Sequence, residues 1–125
     1  MVRKTVFAIL LILAVALSTT VSFAQQPKLA QVVYITLSKA CSCTLVLCQA
    51  GDIVVGNVFN GERKGLLKRI DYVTDKETAK VYIKKYKVTQ APALLFLDAQ
   101  GNLLWTRAGE LNEKEIADQL SQFGG

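Results

Sequence analysis

The run Val32-Val33-Tyr34-Ile35-Thr36-Leu37 constrains the fold more than any other stretch of the chain. It is rich in β-branched residues and too apolar to leave one face in water, so the strand it predicts is buried on both faces. Such a strand belongs inside a sheet with helices packed above and below it. Directly after it, Lys39-Ala40-Cys41-Ser42-Cys43-Thr44-Leu45-Val46-Leu47-Cys48 holds all three cysteines of the protein. Cysteines gathered where a strand ends are placed for thiol or metal chemistry.

The N-terminus reads as a targeting segment rather than as part of the fold. Arg3 and Lys4 precede an unbroken apolar run from Val6 to Leu17, and Ser22-Phe23-Ala24 puts small residues where a signal peptidase reads. Residues 1–24 are therefore expected to be a secretory signal peptide, 25–31 a short polar tether carrying Pro27, and 32–125 one domain. An uncleaved membrane anchor is the alternative, but the apolar run is well short of the roughly twenty residues a span needs. Export implies a periplasmic or extracellular protein. There disulfides persist, and an odd number of cysteines argues against a purely structural staple.

Composition excludes several functions. There is no histidine, so Cys–His pairs, Ser–His–Asp triads and histidine-containing zinc sites are ruled out. Without Arg3 and Lys4 the 15 basic side chains fall by two against 10 acidic ones, a mild positive balance. The lysines are scattered along predicted helices and form no basic stripe interleaved with aromatics, so no nucleic-acid partner is expected.

Past the cysteines, Thr44 onward predicts a helix, although Ile53-Val54-Val55-Gly56-Asn57-Val58-Phe59 has strand composition and a break near Gly51 or Gly56 is expected. Asn60 to Gly65 reads as a turn, Leu66 to Val73 as a second strand, and Lys76 to Tyr86 as a helix with Ala79, Tyr82, Ile83 and Tyr86 on one face. After the loop Lys87 to Pro92, Ala93 to Leu97 is a third strand. Asp98 to Gly101 is a hairpin turn, and Asn102 to Arg107 is a fourth strand. A final helix opens near Leu111, with Asn112 as N-cap and Glu115 three residues on, a partial capping box. The order β-α-β-α-β-β-α predicts an α/β fold: a four-stranded mixed central sheet flanked by helices.

The residues of the cluster allow two chemistries. Thiol–disulfide exchange needs an accessible thiolate and a second thiol to resolve the mixed disulfide. Cys41 and Cys43 fall at a predicted helix N-terminus, where N–H groups favour a thiolate, and Lys39 adds positive charge. A bridge between residues two apart closes a small strained ring, which is easily reduced. Were the segment helical throughout, Cys48 would lie about 10 Å along the axis from Cys41, so it reads first as a small core residue and second as a possible third thiol. Three thiolates without histidine also suit a soft ion such as Cu(I). A redox-inactive binding module is a third reading.

The chain resembles the thioredoxin superfamily. The resemblance rests on the cysteine loop after the first strand, on Tyr86-Lys87-Val88-Thr89-Gln90-Ala91-Pro92-Ala93-Leu94-Leu95-Phe96-Leu97, and on Gly101, Gly109 and the closing segment Leu111 to Leu120. It implies that Pro92 is cis and lies beside the active cysteines, with Ala91 and Pro92 flanking a substrate groove. Cys41-Ser42-Cys43 departs from the family's Cys-x-x-Cys, and the place of its buried first-strand acid, near Ile35, is apolar here. The expected activity is thiol–disulfide exchange on protein or small-molecule disulfides, with Cys41 as nucleophile and Cys43 as resolving thiol. An electron donor or acceptor would be the redox partner. No cofactor or resident metal is expected, the chain should be monomeric, and membrane contact should come only through an uncleaved signal segment.

Overall fold

The computed structural model describes residues 26–125; the expected signal peptide lies outside them. Four strands, β1 (Gln31–Thr36), β2 (Leu67–Asp71), β3 (Ala93–Leu97) and β4 (Leu103–Ala108), form one sheet in the order β2-β1-β3-β4. β1 is parallel to β2, with Ile35 opposite Ile70, and antiparallel to β3, with Val33 opposite Leu95. The hairpin β3–β4 completes the mixed sheet. Helices α1 (Ser42–Val58), α2 (Lys76–Tyr86) and α3 (Glu113–Gln122) flank it.

The two apolar strands, β1 and β3, occupy the middle of the sheet as their composition requires. Alternation sends Val32 and Tyr34 to one face and Val33 and Ile35 to the other. The first face packs with Val55, Val58, Ile116 and Leu120 of α1 and α3. The second packs with Ala79, Tyr82 and Ile83 of α2. Among the described residues no helix is long and apolar enough to cross a membrane.

The ordered fold begins before residue 32. Leu29, expected in a tether, is only 5% exposed, and its N–H donates to the Phe123 carbonyl at 3.0 Å. Its side chain joins the core cluster between the sheet, α1 and α3, which draws the preceding segment onto the domain.

α1 runs unbroken where sequence predicted an interruption, and it starts two residues earlier than Thr44. Packing decides this. Val55 and Val58 face the sheet, and burying an aliphatic side chain is worth roughly 1.5–3 kcal/mol, against about 0.5 kcal/mol lost by a β-branched residue in a helix. Gly51 also faces inward. A Cβ there would lie 2.9 Å from the Tyr34 hydroxyl and 3.1 Å from Pro92 Cγ, so glycine lets the helix lie close to the sheet. Gly56 faces open space.

The turn after α1 is a 3₁₀ helix, Gly61–Leu66, and β2 is shorter than expected. Asp71 ends it by accepting the N–H groups of Val73 at 2.9 Å and Ser38 at 3.2 Å, which also pins the start of the cysteine loop. At α3 the Asn112 carboxamide accepts the Glu115 N–H at 3.1 Å, while the Glu115 carboxylate turns to Arg107, 3.8 Å away.

Candidate active site

Cys41 is the N-cap of α1, Cys43 lies in the first helical turn, and both are exposed. The Cys41 carbonyl accepts the Leu45 N–H at 2.9 Å, and its sulfur lies 3.3 Å from the Thr44 hydroxyl. That hydroxyl, followed by the N–H groups of the first turn, holds the Cys41 thiol below its ordinary range by stabilising the thiolate. The Lys39 charge expected from sequence is not among the leading causes. Thr44 was missed as a functional residue; a hydroxyl three positions after an N-cap was the available signal.

Cys48 is 1% exposed and faces the sheet from the second turn, sharing the inward side of α1 with Gly51, Val55 and Val58. The cluster thus divides into two surface thiols and one core thiol. Among the described residues no three cysteine or acidic side chains converge on a point where a metal could be held, so a three-thiolate centre is not formed.

The Ala91–Pro92 peptide bond is cis. Pro92 is fully buried, and its ring meets α1 at Gly51. Cys41 precedes Gly51 by about 15 Å along the helix axis at 1.5 Å per residue, so Pro92 is not beside Cys41. This corrects the expected juxtaposition. The length of helix before Gly51 carries Cys41 and Cys43 beyond the level of the proline, and Cys48, one turn from Gly51, is the cysteine nearest to it along the axis.

On the α2 side of the sheet lies an apolar groove of about 270 Å³, lined by Ile35, Leu37, Tyr72, Ile83 and the loop Val88 to Ala91. It opens where β1 leads into the cysteine loop and where the backbone turns toward Pro92.

Ile35 is buried on the α2 side of the sheet, and the acid of this region comes from a different element. Asp52 of α1 accepts the Tyr34 hydroxyl at 2.8 Å and pairs with Arg69 of β2 at 3.0 Å. Tyr34 also reaches the Cys48 carbonyl at 3.3 Å. Burial, with the Asp52 carboxylate adding, pushes the phenol well above its usual range, so it stays a neutral donor. The Thr36 hydroxyl, buried on the same face, has no hydrogen-bond partner among the described residues. Sequence pointed to none of this, because Tyr34, Asp52 and Arg69 sit on three different elements, 18 and 17 residues apart, and no local spacing links them.

No protein-family model matches the sequence, and no curated protein matches it. The structure is similar to the C-terminal domain of Neisseria meningitidis DsbD in the reduced form, at 14% identity and a TM-score of 0.56 over 78% of this chain and 84% of that one. It is similar to oxidized thioredoxin O2 from Arabidopsis thaliana, at 20% identity and a TM-score of 0.50, covering 76% and 75%. A DsbH oxidoreductase is similar at 18% identity and a TM-score of 0.52, covering 78% and 74%. At such identities the likeness establishes the fold, and that fold is thioredoxin-like.

Proposed function

We propose that the chain is an exported thiol–disulfide oxidoreductase acting through Cys41 and Cys43. The observation that carries this is the exposed Cys41 sulfur at the N-cap of α1, held toward the thiolate by Thr44. Export rests on the Arg3 to Ala24 pattern.

In the reducing direction the Cys41 thiolate attacks one sulfur of a substrate disulfide. That S–S bond breaks, one substrate thiolate leaves, and a mixed disulfide on Cys41 forms. The Cys43 thiolate then attacks the Cys41 sulfur and releases the second substrate thiolate, leaving a Cys41–Cys43 disulfide and two electrons on the substrate. The strained ring between residues two apart favours the reverse direction, in which a substrate dithiol is oxidised. A substrate strand bonded to Cys41 reaches the groove beside Leu37 and Ala91 within three or four residues, at about 3.3 Å per residue. Ala91 bounds the far end of that path, with the buried Pro92 setting the turn of the backbone behind it.

The test is a trapping series with a peptide disulfide. Cys43→Ser should accumulate a mixed disulfide on Cys41, Cys41→Ser should abolish exchange, and Cys48→Ala should leave exchange largely intact. Exchange that survives in Cys41→Ser, or stops in Cys48→Ala, would sink this assignment.

A further inference from the structure

The outward face of α1 is unlike the outward faces of the other helices. α2 exposes Lys76, Glu77, Lys80, Lys84 and Lys85 around a single apolar side chain, Val81, and α3 exposes Glu113, Lys114 and Asp118. On α1 the outward positions Cys43, Val46, Ala50 and Ile53 carry no charge, and Val46 and Ile53 are 62% and 66% exposed. Their spacing of three, four and three residues is the a/d repeat of a helix that pairs with another helix. Alanine at the middle of the row leaves room for close approach. The row ends at Asn57, whose side-chain amide donates to Glu113 at 2.6 Å.

We infer that this row is a docking seam for an amphipathic helix of the redox partner, one that carries a cysteine at the end of its own apolar stripe. The inference rests on the thiol-exchange reading above and adds the partner's chemistry to it. Two features fix the occupant. The seam begins at Cys43 and adjoins Cys41, so a helix lying along it delivers its terminal sulfur to the reacting pair. The seam is also short, roughly 15 Å at 1.5 Å per residue. Four side chains cover far less than the ~800 Å² per partner of a stable complex, which suits a transient redox encounter and not a permanent dimer. Substrate and partner then approach on opposite sides of the cysteine loop, the substrate over the groove and the partner over α1. In the encounter the Cys41 thiolate attacks the partner's disulfide, and Cys43 resolves the mixed disulfide. The partner leaves as a dithiol and the Cys41–Cys43 pair is left oxidised.

The experiment compares three thionitrobenzoate mixed disulfides as oxidants of the reduced protein. One is a synthetic amphipathic helical peptide with leucines at a and d and a terminal cysteine. The second is a peptide of the same composition in scrambled order, and the third is glutathione. Attack of Cys41 on the peptide or glutathione sulfur releases the coloured thionitrobenzoate thiolate. The patterned peptide should react roughly tenfold faster than the scrambled one, a difference of about 1.4 kcal/mol. Val46→Gln with Ile53→Gln, uncharged and at exposed positions, should erase that advantage and leave the glutathione rate unchanged. Equal rates for the two peptides, or an advantage that survives the double variant, overturn the seam while the glutathione reaction upholds the exchange chemistry. A glutathione probe inert toward Cys41 overturns both. Self-association at micromolar concentration that the double variant abolishes would assign the seam to a second copy and overturn the partner helix.

Discussion

Adding a methyl group at Gly51 and at Gly56 should change stability in opposite directions. Both are interior positions of α1, where replacing glycine by alanine gains up to about 1 kcal/mol in helix propensity. At Gly56 nothing lies within 4 Å of the new Cβ, so that gain is kept. At Gly51 the Cβ would stand 2.9 Å from the Tyr34 hydroxyl, 3.1 Å from Pro92 Cγ and 3.4 Å from Leu111 Cδ1. None of these can yield freely. Tyr34 is tied to Asp52 and the Cys48 carbonyl, and Pro92 is fully buried. Overpacking of this kind costs roughly 1–3 kcal/mol, and displacing the tyrosine hydroxyl adds about 1 kcal/mol for its hydrogen bond. The net expectation is a loss of about 1–3 kcal/mol for Gly51→Ala and a gain of up to about 1 kcal/mol for Gly56→Ala. In thermal unfolding of a domain this size each kcal/mol moves Tm by roughly 4–8 °C. A Tm that rises alike in both variants would refute the close approach of α1 to the sheet, and with it the placement of Pro92 against Gly51.

Thr44→Val removes the hydroxyl that favours the Cys41 thiolate, so the pH midpoint for alkylation of Cys41 should rise and labelling at neutral pH should slow; an unchanged profile would leave the helix N-terminus as the whole cause. Asp98 accepts the Asn102 N–H and side-chain amide and the Gln100 N–H, and with Asn102 first among the causes its carboxyl titrates below its ordinary range. Its contribution is therefore present above the unfolded carboxylate pKa of about 4 and is lost as pH falls through the folded value, so Asp98→Asn should flatten the acid limb of a stability–pH curve. Leu29→Ala should cost about 2–3 kcal/mol in denaturant unfolding, as a core truncation does; a change within a few tenths of a kcal/mol would return residues 25–31 to the status of a tether.

What sequence made legible is what local pattern encodes. The extent of α2, Lys76–Tyr86, follows from its apolar spacing and the Asp75 cap, and that of β3, Ala93–Leu97, from its apolar run between Pro92 and the Asp98 turn. The inner place of β1 follows from its double burial, since a strand with no polar face has to lie inside. The continuity of α1 was hidden because Ile53, Val54 and Val55 read locally as a strand. Their helical state depends on a sheet whose strands come from elsewhere in the chain. The anchoring of Leu29 was hidden for the same reason, because its hydrogen-bond partner, Phe123, comes from the far end of the domain.

The active-site geometry shows how a small error in an element boundary becomes a large one in a functional site. Starting α1 at Thr44 or at Ser42 alters the secondary structure by two residues, which is unimportant for the fold. For the cysteines it matters, because each residue added at the helix start carries the N-cap about 1.5 Å further along the axis from the proline. Helical continuity from Ser42 to Gly51 leaves the proline level with the second and third turns of α1, where Cys48 lies. The division of labour among the thiols survives this shift, since it depends on angular position and not on height. Cys48 shares the inward side with Val55 and Val58, Cys43 opens the outward row with Val46 and Ile53, and Cys41 caps the end where N–H groups are free. The exchange proposed for Cys41 therefore calls for no contact with Pro92. What it calls for is an exposed sulfur, a hydroxyl that favours the thiolate and a second thiol two residues away, and the first turn of one helix places Cys41, Thr44 and Cys43 in that order.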